Sequence, residues 1–302
     1  FQDFFLITLF IYMSIQLAPM VRKILAEGGK LFGPRAERVT TSEMGQIFAE
    51  LKHVLGQEFS KFNLSKALPS KQDHGDIDIL ILADGKSPAD IIKSKLGDAV
   101  VDHSRNGNIF SVLYHSRGTG KTVHVDFISS TSDEYDAQYD YLSYNDFSGV
   151  LGVVSRQIHF SYGTTGMSKI YVDKKGNIHY IPITKSLRDG LKMMGYAHVL
   201  PKFDKIQTPD DVVEFISSSD LFDSAYLTGD GLNVSDRKRL RPSRLLATEI
   251  KDKLIALNKK RTQPDEDHYF KNLFPEKYKE FQAKALEIEN KAVPKSIYNG
   301  NW

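Results

Sequence analysis

A chain of 302 residues, 26% charged and 41% hydrophobic, holds enough apolar material for a core that needs no metal or disulfide staple. With no cysteine, a disulfide framework, a thiolate zinc site, an iron–sulfur cluster and a cysteine nucleophile are excluded, and a cytoplasmic or other reducing intracellular compartment is expected. The formal charge of +2 hides a split: Arg237–Trp302 carries 16 Lys and Arg against 9 Asp and Glu, so the end of the chain is basic and the rest acidic. That asymmetry suits either a polyanion partner or a solvated basic helical tail.

Phe1–Leu17 is the most apolar stretch. Its dense part, Phe4–Met13, falls short of the ~20 residues that a bilayer core requires, and no basic segment precedes it. No membrane association is therefore expected. Met13 opens an ordinary start, so Phe1–Tyr12 reads as upstream sequence or a truncated leader, and Gly28, Gly29, Gly33 and Pro34 read as a linker.

Ser42 is expected to cap a helix whose apolar face is Met44, Ile47, Phe48, Leu51, Val54 and Leu55. A polar loop, Ser60–Gly75, leads to Asp76–Ala83, a short Ile/Leu-rich run with the length and flanks of a buried strand. Ser87-Pro88 opens a short helix, Pro88–Leu96. A meander of three strands follows (Ala99–Asp102, Asn108–Tyr114, Thr122–Ile128) with polar, glycine-bearing turns. Asn145 and Asp146 are expected to cap a second apolar helix. A hairpin is expected on Asp173–Asn177, a helix beginning at Thr208-Pro209, and helices from about Ser243 onward. The order predicts an α+β fold, a mixed sheet with flanking helices plus a helical carboxy-terminal region. It divides into an extension (1–34), a sheet-bearing unit (35–130), a mixed extension (131–235) and a basic helical region (236–302).

The chemistry-bearing feature is Gly75-Asp76-Ile77-Asp78 at the mouth of the apolar strand. Residues two apart in a strand share a face, so Asp76 and Asp78 present two carboxylates side by side. Two such charges repel, and burying them is costly without a cation. All-oxygen ligands favour Mg²⁺ or Mn²⁺ over Zn²⁺. On Val123–Ile128, Asp126 alternates onto the face opposite Val123, Val125 and Phe127, and joins the pair if the two strands are neighbours.

These residues together, Gly75-Asp76-Ile77-Asp78 with an apolar strand and then Val125-Asp126-Phe127, resemble the palm of the DNA polymerase β-type nucleotidyltransferase superfamily, and family X polymerases in particular. The resemblance spans roughly residues 42–211. It implies a nucleotidyltransferase palm, with Asp76, Asp78 and Asp126 as metal ligands and catalytic carboxylates, Gly75 as backbone approaching the triphosphate, and residues 131–235 completing the nucleotide pocket. It further implies Mg²⁺ or Mn²⁺, an NTP or dNTP substrate, and transfer of a nucleoside monophosphate to an acceptor hydroxyl, foremost a polynucleotide 3′-end. The family's phosphate-cradling Gly-Ser pair is replaced here by Leu64-Ser65-Lys66, so Ser65, Lys66, Ser70 and Lys71 are the candidate phosphate contacts. A small-molecule or protein acceptor, or a catalytically silent nucleic-acid-binding module, stays open beside that reading.

Arg237, Lys238, Arg239, Arg241 and Arg244 form the candidate nucleic-acid contact. Gly118–Thr122 imitates a phosphate-binding loop, but it joins two strands instead of entering a helix and is read as a hairpin turn. Tyr162–Gly166 is read as a glycine turn. Tyr269, Phe270, Phe274, Tyr278 and Phe281 are read as the packed face of a terminal helical unit.

Overall fold

A computed structural model describes residues 31–144, 146–228, 232–242 and 244–292. The expected leader, the Gly28-Gly29 half of the linker, the cap assigned to Asn145 and the helix start at Ser243 lie outside the described residues. The remaining half of the linker is not slack: Gly33–Arg35 forms a 3₁₀ turn, and Phe32 before it is buried with its ring edge-on to His124.

Strand β1 (Val39–Thr40) runs into helix α1 (Thr41–Leu55). The cap is Thr40, not Ser42, because only Thr40 stands three residues before Glu43. The Thr40 hydroxyl accepts from the Glu43 amide, and the Glu43 carboxylate accepts from the Thr40 amide. Met44, Ile47, Leu51 and Leu55 are buried as the spacing predicts, while Val54 faces solvent.

The segment read as a polar loop contains two short strands, β2 (Lys61–Leu64) and β3 (Asp73–His74), the latter paired with β1. Next come β4 (Ile77–Leu82), α2 (Pro88–Leu96), β5 (Val100–Asn106), β6 (Ile109–His115) and β7 (Thr122–Ser130). They assemble into a mixed sheet in the order β2-β4-β7-β6-β5, in which β4 and β7 alone run parallel. The parallel pair sits in the interior of the sheet, where β4 is nearly all apolar, as burial on both faces demands. On one face, Ile77, Ile79, Ile81, Val125 and Phe127 share a single core with the apolar sides of α1 and α2.

Beyond β7 the chain forms α3 (Tyr135–Leu142), an element that no side-chain cap announces, then α4 (Phe147–Arg156). A three-stranded antiparallel sheet follows: β8 (Phe160–Gly163), β9 (Gly166–Val172) and β10 (Ile178–Thr184). Tyr162–Gly166 therefore turns between two strands, where Gly166 adopts φ +99° and a Cβ would meet the Thr184 carbonyl at 2.4 Å. The β9–β10 hairpin on Asp173–Asn177 forms as expected, with Asp173 accepting from the amides of Lys175 and Asn177 and from His179.

Helices follow as far as Ala292: α5 (Leu187–Met193), α6 (Leu200–Phe203), α7 (Pro209–Ser217), α8 (Val234–Arg239), α9 (Leu245–Ala256), α10 (His268–Leu273) and α11 (Pro275–Ala292). One apolar core runs from Phe147 to Ala285 and takes in Leu68 from the β2–β3 connection. The carboxy-terminal aromatic residues belong to it. Phe270 packs against Phe160, Tyr278 and Phe281 close over Phe270, and Tyr269 and Phe274 flank the same core.

Helix α8 is tied to α4 by Asp236, which is fully buried with Arg156 Nε at 2.8 Å and Arg239 Nη1 at 3.9 Å. Burial pushes the Asp236 carboxyl up, against the pull of the two guanidinium groups. Removing one member strands the others without compensation. Asp236→Ala is therefore expected to lower unfolding stability by about 3 kcal/mol in urea titrations, and Asp236→Leu combined with Arg156→Met to recover part of it. A neutral single variant would show that the pair does not hold α8.

Candidate active site

Asp78 and Asp126 face each other as partners across the parallel β4–β7 pair. The flanking Ile77, Ile79, Val125 and Phe127 are all buried on the opposite face. A slip of one residue would drive the aspartates into that core, so the apolar alternation sets the register that brings the carboxylates together. Asp76 precedes Asp78 by two residues. Across β6, Ser111 is the partner of Asp126, which places a buried residue with a hydroxyl next in the same row.

The site is electrostatically strained. The Asp78 carboxyl is pushed up to about 8, first by burial and then by the charges of Asp76 and Asp126. His124 and Lys71 oppose that rise. His124 donates from Nε2 to Asp126 Oδ1 at 2.8 Å, and its buried Nδ1 has no hydrogen-bond partner among the described residues. Burial pulls the His124 imidazole down, but the hydrogen bond to Asp126 and the charges of Asp126, Asp76 and Asp78 outweigh it and hold the ring above its ordinary value. His124 is the residue that sequence reading misses, because histidines are scattered along the chain. Its place two residues before Asp126, on the same face of one strand, is the signal that finds it.

His74 is buried behind the site. The Thr41 hydroxyl donates to the Lys71 carbonyl at 2.8 Å and lies 3.0 Å from His74 Nε2. Burial lowers the His74 imidazole, with Lys71 adding to the effect. Gly75 is buried at the bend between β3 and β4.

The candidate phosphate contacts divide. Lys71 lies close enough to act on the Asp78 charge. The Ser65 amide donates to the Asp78 carbonyl at 3.0 Å, the Ser70 amide to the Gln207 carbonyl at 3.1 Å, and the Lys71 amide to the Leu68 carbonyl at 2.9 Å. Those three amides are committed within the protein. Lys66 is exposed, with its ammonium 5.9 Å from the Tyr139 ring and 5.7 Å from the Tyr144 ring.

The basic cluster also divides. Arg239 pairs with Asp236, and Arg244 donates to Asp146 at 2.8 Å. Asp146 thus serves an ion pair and gives α4 no side-chain cap. Arg237, Lys238 and Arg241 are exposed. Gly118–Thr122 belongs to the β6–β7 turn, with Gly120 at φ +70° and the Lys121 ammonium 2.7 Å from Glu43.

Among the described residues, no set of three or more His, Asp or Glu side chains converges on a common metal position. The donor chemistry nevertheless fits a hard divalent cation: carboxylates in register, one of them pushed up by burial and by its neighbours' charge. No family model matches the chain, and no match is found among curated proteins. Among the described residues, no helix is long and apolar enough to cross a membrane.

The raised Asp78 carboxyl has a signed consequence. Between the ordinary carboxylate range and about pH 8, the folded state binds more protons than the unfolded state, so stability falls as pH rises through that window. In chelator-treated protein, the urea midpoint is expected to fall from about pH 5 to about pH 8, and Asp78→Asn to flatten that fall. An equal slope in wild type and variant would remove Asp78 as its source.

Proposed function

We propose that the chain is a Mg²⁺-dependent nucleotidyltransferase with a polymerase β-like palm, moving a nucleoside monophosphate from an NTP or dNTP to an acceptor hydroxyl, foremost a polynucleotide 3′-end. The observation that carries this reading is the in-register pair Asp78 and Asp126, with Asp76 two residues before Asp78. Divalent cations bound there would supply activation of the acceptor hydroxyl and charge neutralisation at the leaving pyrophosphate. Asp76, Asp78 and Asp126 would hold them. His124 fixes one oxygen of Asp126, and Lys71 adds positive charge beside the carboxylates. Exposed Lys238 and Arg241 are the residues of the basic cluster through which a polynucleotide would be held.

The committed amides of Ser65, Ser70 and Lys71 favour a second reading, a silent module of the same fold that binds nucleic acid. The internal pairing of Arg239 and Arg244 reduces the polyanion surface and keeps a small-molecule or protein acceptor in view.

Incubation with Mg²⁺, labelled NTPs or dNTPs, and single-stranded, duplex and tRNA acceptors is expected to give label transfer that falls at least about 100-fold in Asp78→Ala and Asp126→Ala. Absence of transfer to every acceptor, with nucleic-acid binding retained, would establish the silent module. If nucleic acid binds through the exposed cations, Lys238→Ala with Arg241→Ala should reduce the salt slope of binding by about 2. An unchanged slope would place the contact elsewhere.

A further inference from the structure

We propose that the cavity between the carboxyl end of β7 and the β8–β9 turn binds a small polyhydroxylated ligand of the sugar class, neutral or aminated. The cavity measures about 340 Å³, within the range of small-molecule sites. Every residue lining it carries a polar group on its side chain: Asn108, Ser129, Ser130 and Thr131 beside the end of β7, Thr164 in the β8–β9 turn, and Glu134 and Gln138 around the start of α3. Ser130 stands four residues beyond Asp126 on β7, roughly 13 Å along the strand, so this is not the carboxylate site.

Gln138 points to a ligand. It is only 7% exposed, yet its carboxamide makes no hydrogen bond among the described residues. The carboxamide is not among the polar atoms sealed from solvent, so it opens onto the cavity, where an incoming ligand can pair with it. The hydroxyls of Ser129 and Thr164 and the Glu134 carboxylate are likewise without hydrogen bonds among the described residues. Together they offer donors and acceptors of both kinds around one space, the pattern that hydroxyl groups satisfy.

Charge narrows the class. Among the described residues, Glu134 is the only formally charged one in the lining, and no Lys, Arg or His lines the cavity. The nearby Asp133 takes the Lys185 ammonium at 2.6 Å. An anionic ligand would meet an uncompensated carboxylate, whereas a neutral polyol or an amine would not.

The test uses the full chain with glucose, ribose, myo-inositol, glucosamine and glucuronate at about 10 mM, followed by saturation-transfer NMR and thermal shift. At least one neutral or aminated sugar is expected to bind saturably, with glucuronate at least about tenfold weaker. Gln138→Leu should weaken that binding about tenfold without lowering the melting temperature of the free protein, and Glu134→Gln should narrow the discrimination against glucuronate. Saturable binding of none of these sugars, wild-type binding by Gln138→Leu, or glucuronate binding as well as glucose would each overturn the proposal. None of these readouts depends on nucleotidyl transfer.

Discussion

Two like charges, Asp78 and Asp126, held together by an apolar register, with the Asp76 charge adding to their repulsion, are the constraint around which the rest of the sheet is organised. The isoleucines of β4 and the Val125–Phe127 alternation of β7 decide which residues face the core, and the aspartates follow on the other face. Burial then makes the Asp78 charge expensive, and its carboxyl rises in response. His124 and Lys71 are the groups that offset this repulsion within the chain itself. A protein without use for the arrangement has easier ways to fill these positions, since an uncharged residue would remove the repulsion.

The connection between β2 and β3 is the seam of the molecule. Leu68 belongs to the core built from Phe147 onward, the Ser70 amide is bonded to Gln207, and the Tyr144 amide donates to the Lys66 carbonyl at 2.6 Å. The same segment delivers Lys71 to the carboxylates. It is held in place by amides spent inside the protein, and this removes them as ready-made phosphate donors.

Much of this is legible in the sequence where a residue pattern has a single physical meaning. The β4 run, the Pro88–Leu96 helix and the Thr208 cap declare themselves through burial, proline at N1 and a capping box. The aspartates can be read because alternation fixes their face. What stays hidden depends on partners distant in sequence: β2 is four residues whose strand character comes from pairing with β4, and the Asp146–Arg244 bond joins residues far apart in the chain. Local cap chemistry alone therefore misassigns Asp146.

The basic carboxy-terminal region shows how composition divides between folding and recognition. Arg239 and Arg244 face anions of the same chain, Asp236 and Asp146, and Arg244 fastens the start of α9 to α4. Lys253 pairs with Asp210 and Glu249. The surplus charge of this region is therefore partly a docking device for its own helices on the acidic remainder, while the exposed Lys238 and Arg241 extend it toward solvent. A charge count treats these groups alike, but burial separates them, because a guanidinium beside a buried carboxylate is committed and an exposed one is screened but available.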